Sequence, residues 1–249
     1  KISTGKAENK FGLSIKNFKS FYKSIKKYKN INLDALSVHI GSQILSDVPY
    51  KKMLNVMSNL IKELKLDLKF LDLGGGFGIQ YNKKDKPINL KKYSDSVNKL
   101  AKKLKCKIIF EPGRSIIGDT GILLSKIQFI KKGAKKDFII IDAGMNDFMR
   151  PALYDAVHKI IPIRKSKSKL KGTIEFVGPI CESTCKFGSY KNYQKMSEND
   201  FVAITNVGAY GSSLSSNYNS RPLIAELLVN KNKIKYIRKK QDLLKLVNS

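Results

Sequence analysis

Lys69-Phe-Leu-Asp-Leu-Gly-Gly-Gly-Phe-Gly78 is an apolar run that breaks into four glycines within five positions. The residues up to Leu73 predict a buried parallel strand, and Gly74, Gly75, Gly76 and Gly78 remove every Cβ where the chain leaves it. Backbone N–H groups in such a turn can approach an anion closely, and a phosphate needs several converging donors. A tight strand-to-helix turn without a ligand is the other reading that a lone glycine run allows.

Helical patterns flank this strand on both sides. Upstream, Asp47 and Pro49 mark a helix start, with Tyr50, Met53, Leu54, Met57, Leu60, Ile61 and Leu64 on one face. Downstream, Leu90, Tyr93, Val97, Leu100, Ala101 and Leu104 repeat at helical spacing, and Lys107 to Phe110 predict another strand. Further back lie a strand from Leu33 to His39 and a helix capped by Ser14, with Ile15, Phe18, Tyr22, Ile25 and Tyr28 as its apolar positions. Strand and helix alternate, which predicts a parallel sheet covered by helices. Functional residues then belong at strand ends: His39-Ile-Gly-Ser42, the glycine turn, and Glu111-Pro-Gly-Arg114. Three such motifs at three successive strand ends is the layout of a (β/α)-barrel active face.

Past Gly118 the pattern changes. Leu123 to Ile130, Phe138 to Asp142, Thr173 to Val177, Phe201 to Thr205, Leu223 to Val229 and Ile234 to Ile237 are short strand-like runs. Val229 to Lys233 predicts a hairpin turn, Ser166 to Lys171 a basic loop, Lys186 to Asn199 a polar segment of little periodicity, and Gln241 to Val247 a terminal helix. The expected fold is α/β plus β: part of a (β/α) barrel over residues 1–118, then a mostly β domain over 119–249.

At 249 residues and 42% apolar content the chain can build a substantial core. The absence of an eighteen-residue apolar run argues against a membrane partner, and with no signal peptide before the first periodic segment the expectation is a cytoplasmic protein. Three cysteines, Cys106, Cys181 and Cys185, do not make a disulfide framework, and no third and fourth ligand stands near Cys181 and Cys185, so no metal site is expected. The formal charge of +28 raises nucleic acid as a partner. However, only Arg114, Arg150, Arg164, Arg221 and Arg238 are arginine, and the lysines are scattered over every segment without forming a stripe. The charge therefore reads as compositional bias on solvated faces.

Taken singly, His39 fits a core histidine as well as a site residue, and Glu111 and Arg114 fit a local ion pair. The combination says more. His-Ile-Gly-Ser-Gln (39–43), Leu-Asp-Leu-Gly-Gly-Gly (71–76), Glu-Pro-Gly-Arg (111–114), Asp-Ala-Gly-Met-Asn-Asp (142–147), Met-Arg-Pro-Ala-Leu-Tyr (149–154), Gly-Pro-Ile-Cys-Glu-Ser (178–183) and Gly-Ala-Tyr-Gly (208–211) together resemble the diaminopimelate decarboxylases. That family belongs to the alanine-racemase-like group of pyridoxal-phosphate enzymes. The likeness runs from Asn9-Lys-Phe-Gly12 nearly to the end of the chain.

The resemblance implies a lyase of lysine biosynthesis that decarboxylates meso-2,6-diaminopimelate, a small amino-acid substrate, and a homodimer with shared active sites. It implies that Gly74, Gly75, Gly76, Ser42 and Tyr210 hold the cofactor phosphate, with Gly113 and Arg114 nearby, that His39 stacks on the ring, and that Glu111 meets the pyridinium. For the substrate it implies Arg114 and Arg150 on carboxylate, Glu182 on the far ammonium, with Tyr154 and Tyr210 beside them. Cys181 matches the proton donor, with a buried structural cysteine as the alternative. It further implies that the β-rich domain is Greek-key-like and carries substrate and dimer-interface residues. Thr184 and Cys185 depart from the small residue and acid that often follow in the family. No segment matches the surroundings of the Schiff-base lysine, and Lys1 to Asn9 read as the middle of a protein. The expectation is a C-terminal portion that is inactive alone. Arginine, ornithine or carboxynorspermidine decarboxylases and an inactive regulatory homologue are the rival readings.

Overall fold

The computed structural model describes residues 10–82 and 84–248, and the expected features at Lys1 to Asn9 lie outside them. The chain divides into two compact units, Lys1–Ile116 and Ile117–Ser249.

In the first unit, Ser14 Oγ accepts a hydrogen bond from the Asn17 N–H and starts helix α1 (Ile15–Ile25). The helix stops one turn before the last expected apolar position, and Tyr28 is exposed. Strand β1 (Ala35–Ser37) follows, then α2 (Asp47–Leu64), capped by Ser46 with Asp47 in its first turn, where a carboxylate favours the positive end of the helix dipole. Strand β2 (Phe70–Asp72), α3 (Leu90–Leu104), capped by Asn89, and β3 (Lys107–Ile109) complete two strand–helix–strand steps. The three strands pair in parallel in the order β1-β2-β3. One apolar face of α2 (Tyr50, Met53, Leu54, Met57, Ile61) and one of α3 (Tyr93, Val97, Leu100) bury against Leu36, Leu71 and Leu73. Each such side chain contributes about 1.5–3 kcal/mol on leaving water. Tyr50, Phe77 and Tyr93 meet at ring distances of 4.9 to 5.6 Å, with Phe77 stacked on Tyr50 and edge-on to Tyr93, and anchor the helices beneath the glycine turn.

A four-residue helix, α4 (Arg114–Ile117), carries the chain across the boundary between the two units' sequences. The second unit contains β4 (Ile122–Lys131), β5 (Asp137–Ile141), helix α5 (Arg150–Tyr154), β6 (Ile160–Pro162), β7 (Thr173–Val177), β8 (Lys186–Lys191) and β9 (Phe201–Thr205). These strands form one sheet in the order β6-β9-β4-β5-β7-β8. A hairpin of β10 (Glu226–Asn230) and β11 (Lys233–Arg238) and helix α6 (Leu243–Val247) follow. Ile127, Ile139, Ile141, Ile160, Ile174, Phe176, Val202 and Ile204 form the core with Phe148. His158 is buried and its Nδ1–H donates to the Thr205 carbonyl at 3.0 Å.

Four expectations need correction here. Lys186 to Asn199 is not a featureless polar segment: its first six residues are β8, an edge strand that buries only Phe187 and so lacks an alternating pattern. The three-residue strand β6, ending in Pro162, was not expected. The Leu223 to Val229 strand begins only at Glu226. The sheet is also mixed, since β5 and β7 pair in parallel, where a Greek key would be antiparallel throughout.

Candidate active site

In the first unit the expected residues sit where the three parallel strands end. The backbone binds these ends to one another: Val38 N–H donates to Asp72 O at 2.9 Å, Glu111 N–H to Gly74 O at 2.9 Å, and Ile44 N–H to Gly76 O at 2.9 Å. Such close approach is why glycine is required. A Cβ at Gly74 would lie 2.6 Å from Val38 O, at Gly75 2.1 Å from Glu111 O, and at Gly76 2.2 Å from Gly41 O.

The glycine N–H groups are not all directed at a ligand, however. Gly74 N–H donates to Asp72 Oδ1 at 2.8 Å and Gly75 N–H to His39 Nδ1 at 3.3 Å, while Gly76 N–H makes no hydrogen bond among the described residues. Of the three donors expected for an anion, one is available. The Asp72 carboxylate is held on its other oxygen by Ser37 at 3.1 Å. Because His39 Nδ1 accepts, the neutral ring carries its proton on Nε2. His39 is exposed, which removes the core-histidine reading.

Arg114 is buried at 6% exposure, and its guanidinium donates to Tyr81 Oη at 2.6 Å and to Ser42 Oγ at 3.2 Å. Tyr81 was not foreseen. Its ring lies 5.7 Å from the guanidinium, and its N–H is tied to Asp85 Oδ2 at 3.0 Å. A guanidinium, a hydroxyl and a free N–H are an anion-binding set. Glu111, on the neighbouring strand end, is an exposed carboxylate, and a Cβ at Gly113 would meet nothing within 4 Å. The residues present thus fit a group with a phosphate at one end and a basic ring nitrogen at the other.

In the second unit four expected motifs converge. Asp142 Oδ1 accepts from Ser125 Oγ at 2.5 Å and from Lys126 N–H at 2.9 Å, which anchors the 142–147 turn to β4. Asp147 accepts from Gly144 N–H at 2.8 Å and from the Asn146 amide at 3.1 Å, and lies 3.7 Å from the Arg221 guanidinium. Burial pushes its carboxyl above the ordinary aspartate value, against the Gly144 N–H and the Arg221 charge, which favour ionisation. Arg221 also donates to Asn146 Oδ1 at 3.2 Å and to Asp142 O at 2.7 Å, so one guanidinium clamps the whole turn.

Just beyond that turn, Arg150 opens α5 at 4% exposure, with its guanidinium 5.9 Å from the Tyr210 ring. Tyr210 is held at φ 62°, in the left-handed region, and is 47% exposed. Tyr154 is half-buried at the end of the same helix. The 178–185 segment packs against the turn: Met145 N–H donates to Cys185 Sγ at 3.3 Å, and Thr184 Oγ1 lies 3.8 Å from Met145 Sδ. Cys185 is the buried cysteine of the pair and Cys181 the exposed one, so the structural reading belongs to Cys185. The departure from the family pattern at this position therefore packs the turn. Glu182 is exposed and accepts from Thr184 Oγ1 at 3.1 Å and from the Tyr218 hydroxyl. Tyr218 and Arg221 were both missed; they stand in Ser-Asn-Tyr-Asn-Ser-Arg-Pro (216–222), whose aromatic and basic residues amid turn formers were the available signal.

Comparison with known proteins shows a class, and then particular proteins within it, to which this chain is similar. Residues 1–118 match the family described as pyridoxal-dependent decarboxylase, pyridoxal binding domain. Over that segment the chain is similar to the pyridoxal-dependent decarboxylases. Within that class it is similar to diaminopimelate decarboxylases: it is 40% identical to the one from Aquifex aeolicus over 97% of this chain and 58% of that protein, and 40% identical to the one from Haemophilus influenzae over 98% and 60%. The crystal structure of diaminopimelate decarboxylase from Helicobacter pylori complexed with L-lysine superposes with a TM-score of 0.88 at 38% identity, over 99% of this chain and 62% of that one. The chain thus spans about 60% of the length of the relatives it matches. Among the described residues no helix is long and apolar enough to cross a membrane.

Proposed function

We propose that the chain is the C-terminal portion of a diaminopimelate decarboxylase, which converts meso-2,6-diaminopimelate to L-lysine and carbon dioxide with pyridoxal phosphate. The observation that carries the reading is the 40% identity to such an enzyme over 97% of the chain. On this reading residues 1–118 supply the last strands of a (β/α)₈ barrel, and residues 119–249 a β-rich domain with substrate and dimer-interface residues.

When bound, pyridoxal phosphate supplies the electron sink for the pair left as carbon dioxide departs. Ser42 and Gly76 would hold its phosphate with Arg114 behind them, while Gly74 and Gly75 let the strand ends come close enough to form the seat. His39, fixed by Gly75, covers the ring, and Glu111 keeps a proton on the pyridine nitrogen. Arg150 takes a substrate carboxylate with its planar fork, assisted by Tyr154, and Glu182 takes the far ammonium. After the bond from Cα to the carboxyl carbon breaks, Cys181 Sγ delivers a proton to Cα, and the thiol regains one from solvent. The Cys181-Glu182 segment serves the site of a second copy in a homodimer.

The test is carbon dioxide and lysine release by the full-length protein with pyridoxal phosphate and meso-diaminopimelate, beside ornithine, arginine and carboxynorspermidine. Turnover of one of the last three without turnover of the first would overturn the assignment. Arg150→Lys keeps the charge and loses the fork. Its expected cost in kcat/KM is about 1–3 kcal/mol, and an unchanged kcat/KM would place Arg150 outside the substrate site.

A further inference from the structure

We infer that Tyr218 is a positioning residue for selection of the substrate's far ammonium, acting through Glu182. The inference rests on the diaminopimelate reading and adds to it a residue that none of the seven motifs contains. Glu182 lies in a tight turn, its N–H donating to Ile180 O at 2.7 Å and its carbonyl accepting from Cys185 N–H at 3.0 Å. That turn fixes the backbone, yet a glutamate side chain on the surface retains three rotatable bonds. Two hydroxyls remove that freedom: the Tyr218 hydroxyl donates to Oε1 and Thr184 Oγ1 donates to Oε2 at 3.1 Å. One donor on each oxygen sets the plane of the carboxylate and leaves a lone pair on each oxygen for an ammonium.

The two donors differ in origin. Thr184 is a neighbour in the same turn, whereas Tyr218 arrives from 36 residues away. Its segment is itself held: Tyr218 N–H donates to Ser216 Oγ at 3.4 Å, the Asn217 amide donates to Arg221 O at 2.9 Å, and Arg221 is clamped on the 142–147 turn. Asn219 and Ser220, which follow, both adopt left-handed backbone at φ 56° and 55°, an arrangement that costs free energy and persists where the surroundings enforce it. The Glu182 carboxylate beside it raises the Tyr218 hydroxyl above its ordinary value, so this group remains a donor throughout the range in which an enzyme would work. Tyr218 and Glu182 are both exposed, as a pair that meets a substrate must be.

The experiment uses the full-length protein saturated with pyridoxal phosphate, with Tyr218→Phe, Glu182→Gln and the double variant. Two quantities are read for each: KM and kcat for meso-diaminopimelate, and the competitive inhibition constant of 2-aminopimelate, which keeps the far carboxylate and lacks the far ammonium. Tyr218→Phe should raise KM for meso-diaminopimelate about tenfold, the scale of a hydrogen bond to a charged group, with kcat within about twofold. The inhibition constant of 2-aminopimelate should stay unchanged, and Tyr218→Phe should add nothing further in the Glu182→Gln background. An unchanged KM, an equal change for both ligands, or additive effects in the double variant would overturn the inference. An unaltered enzyme with no activity on meso-diaminopimelate would instead overturn the functional reading, and this inference with it.

Discussion

The two units build their chemistry from different materials. In the first, functional groups are placed by the backbone: three consecutive parallel strands end side by side, and glycines let their carbonyls and N–H groups approach within hydrogen-bonding distance. In the second, side chains do the placing, since turns far apart in sequence are tied by Arg221, Asp147, Cys185 and Tyr218. Damage to the first should therefore be steric and severe, and damage to the second electrostatic and dependent on pH.

The largest expected effect is at Gly75. A methyl group there would meet Glu111 O at 2.1 Å, against the Glu111–Pro112 backbone with no side chain to yield. Gly75→Ala should cost about 3 kcal/mol or more in chemical denaturation, while Gly113→Ala, whose Cβ finds open space, should fall within about 0.5 kcal/mol. Equal losses at the two positions would break the steric account of the first unit.

Next comes Arg221→Ala, which strips Asp147 of its cation and frees the 142–147 turn, at a cost of about 2–3 kcal/mol at neutral pH. The folded-state value of Asp147 is already raised, chiefly by burial. Loss of the cation raises it further, so the deficit should narrow as pH falls through that raised value and the carboxyl becomes neutral. Unfolding curves of both proteins between pH 7 and 4 check this, and a deficit independent of pH would show that the Arg221 charge is not what matters.

Legibility divides along the same line. The helical repeats at Tyr50 to Ile61 and Tyr93 to Leu100 could be read because one-sided burial imposes a local period, and strand ends between them located His39, the glycine turn and Arg114. Side-chain ties across long separations leave no period. Arg221 reaches Asn146 across 75 residues, and nothing near either residue announces the other. Even in the first unit the fate of the glycine donors was hidden. Asp72, two residues before Gly74, was the clue, since an aspartate commonly caps the N–H two positions on.

The smallest effect expected is at Glu175 in β7. Burial pushes its carboxyl up, but hydrogen bonds from Lys136 and Ser189, with the Lys136 charge, outweigh this and leave it below the ordinary glutamate value. A lowered folded-state value means stability that is present above the unfolded glutamate range and lost as pH falls through the folded one. Glu175→Gln should therefore melt below the unaltered protein at pH 7, by about 1 kcal/mol, and the two should converge in acid. A constant gap would show that the loss is one of packing.

Affinity for pyridoxal phosphate tests most directly whether Ser42, at the strand ends of the first unit, holds the cofactor while Glu182, in the second, selects the substrate. In the full-length protein Ser42→Ala should weaken the cofactor Kd about tenfold by removing the hydroxyl that Arg114 supports, and Glu182→Gln should leave that Kd unchanged. A Ser42→Ala protein that binds pyridoxal phosphate as tightly as the unaltered one, or a Glu182→Gln protein that binds it more weakly, would contradict the division of labour.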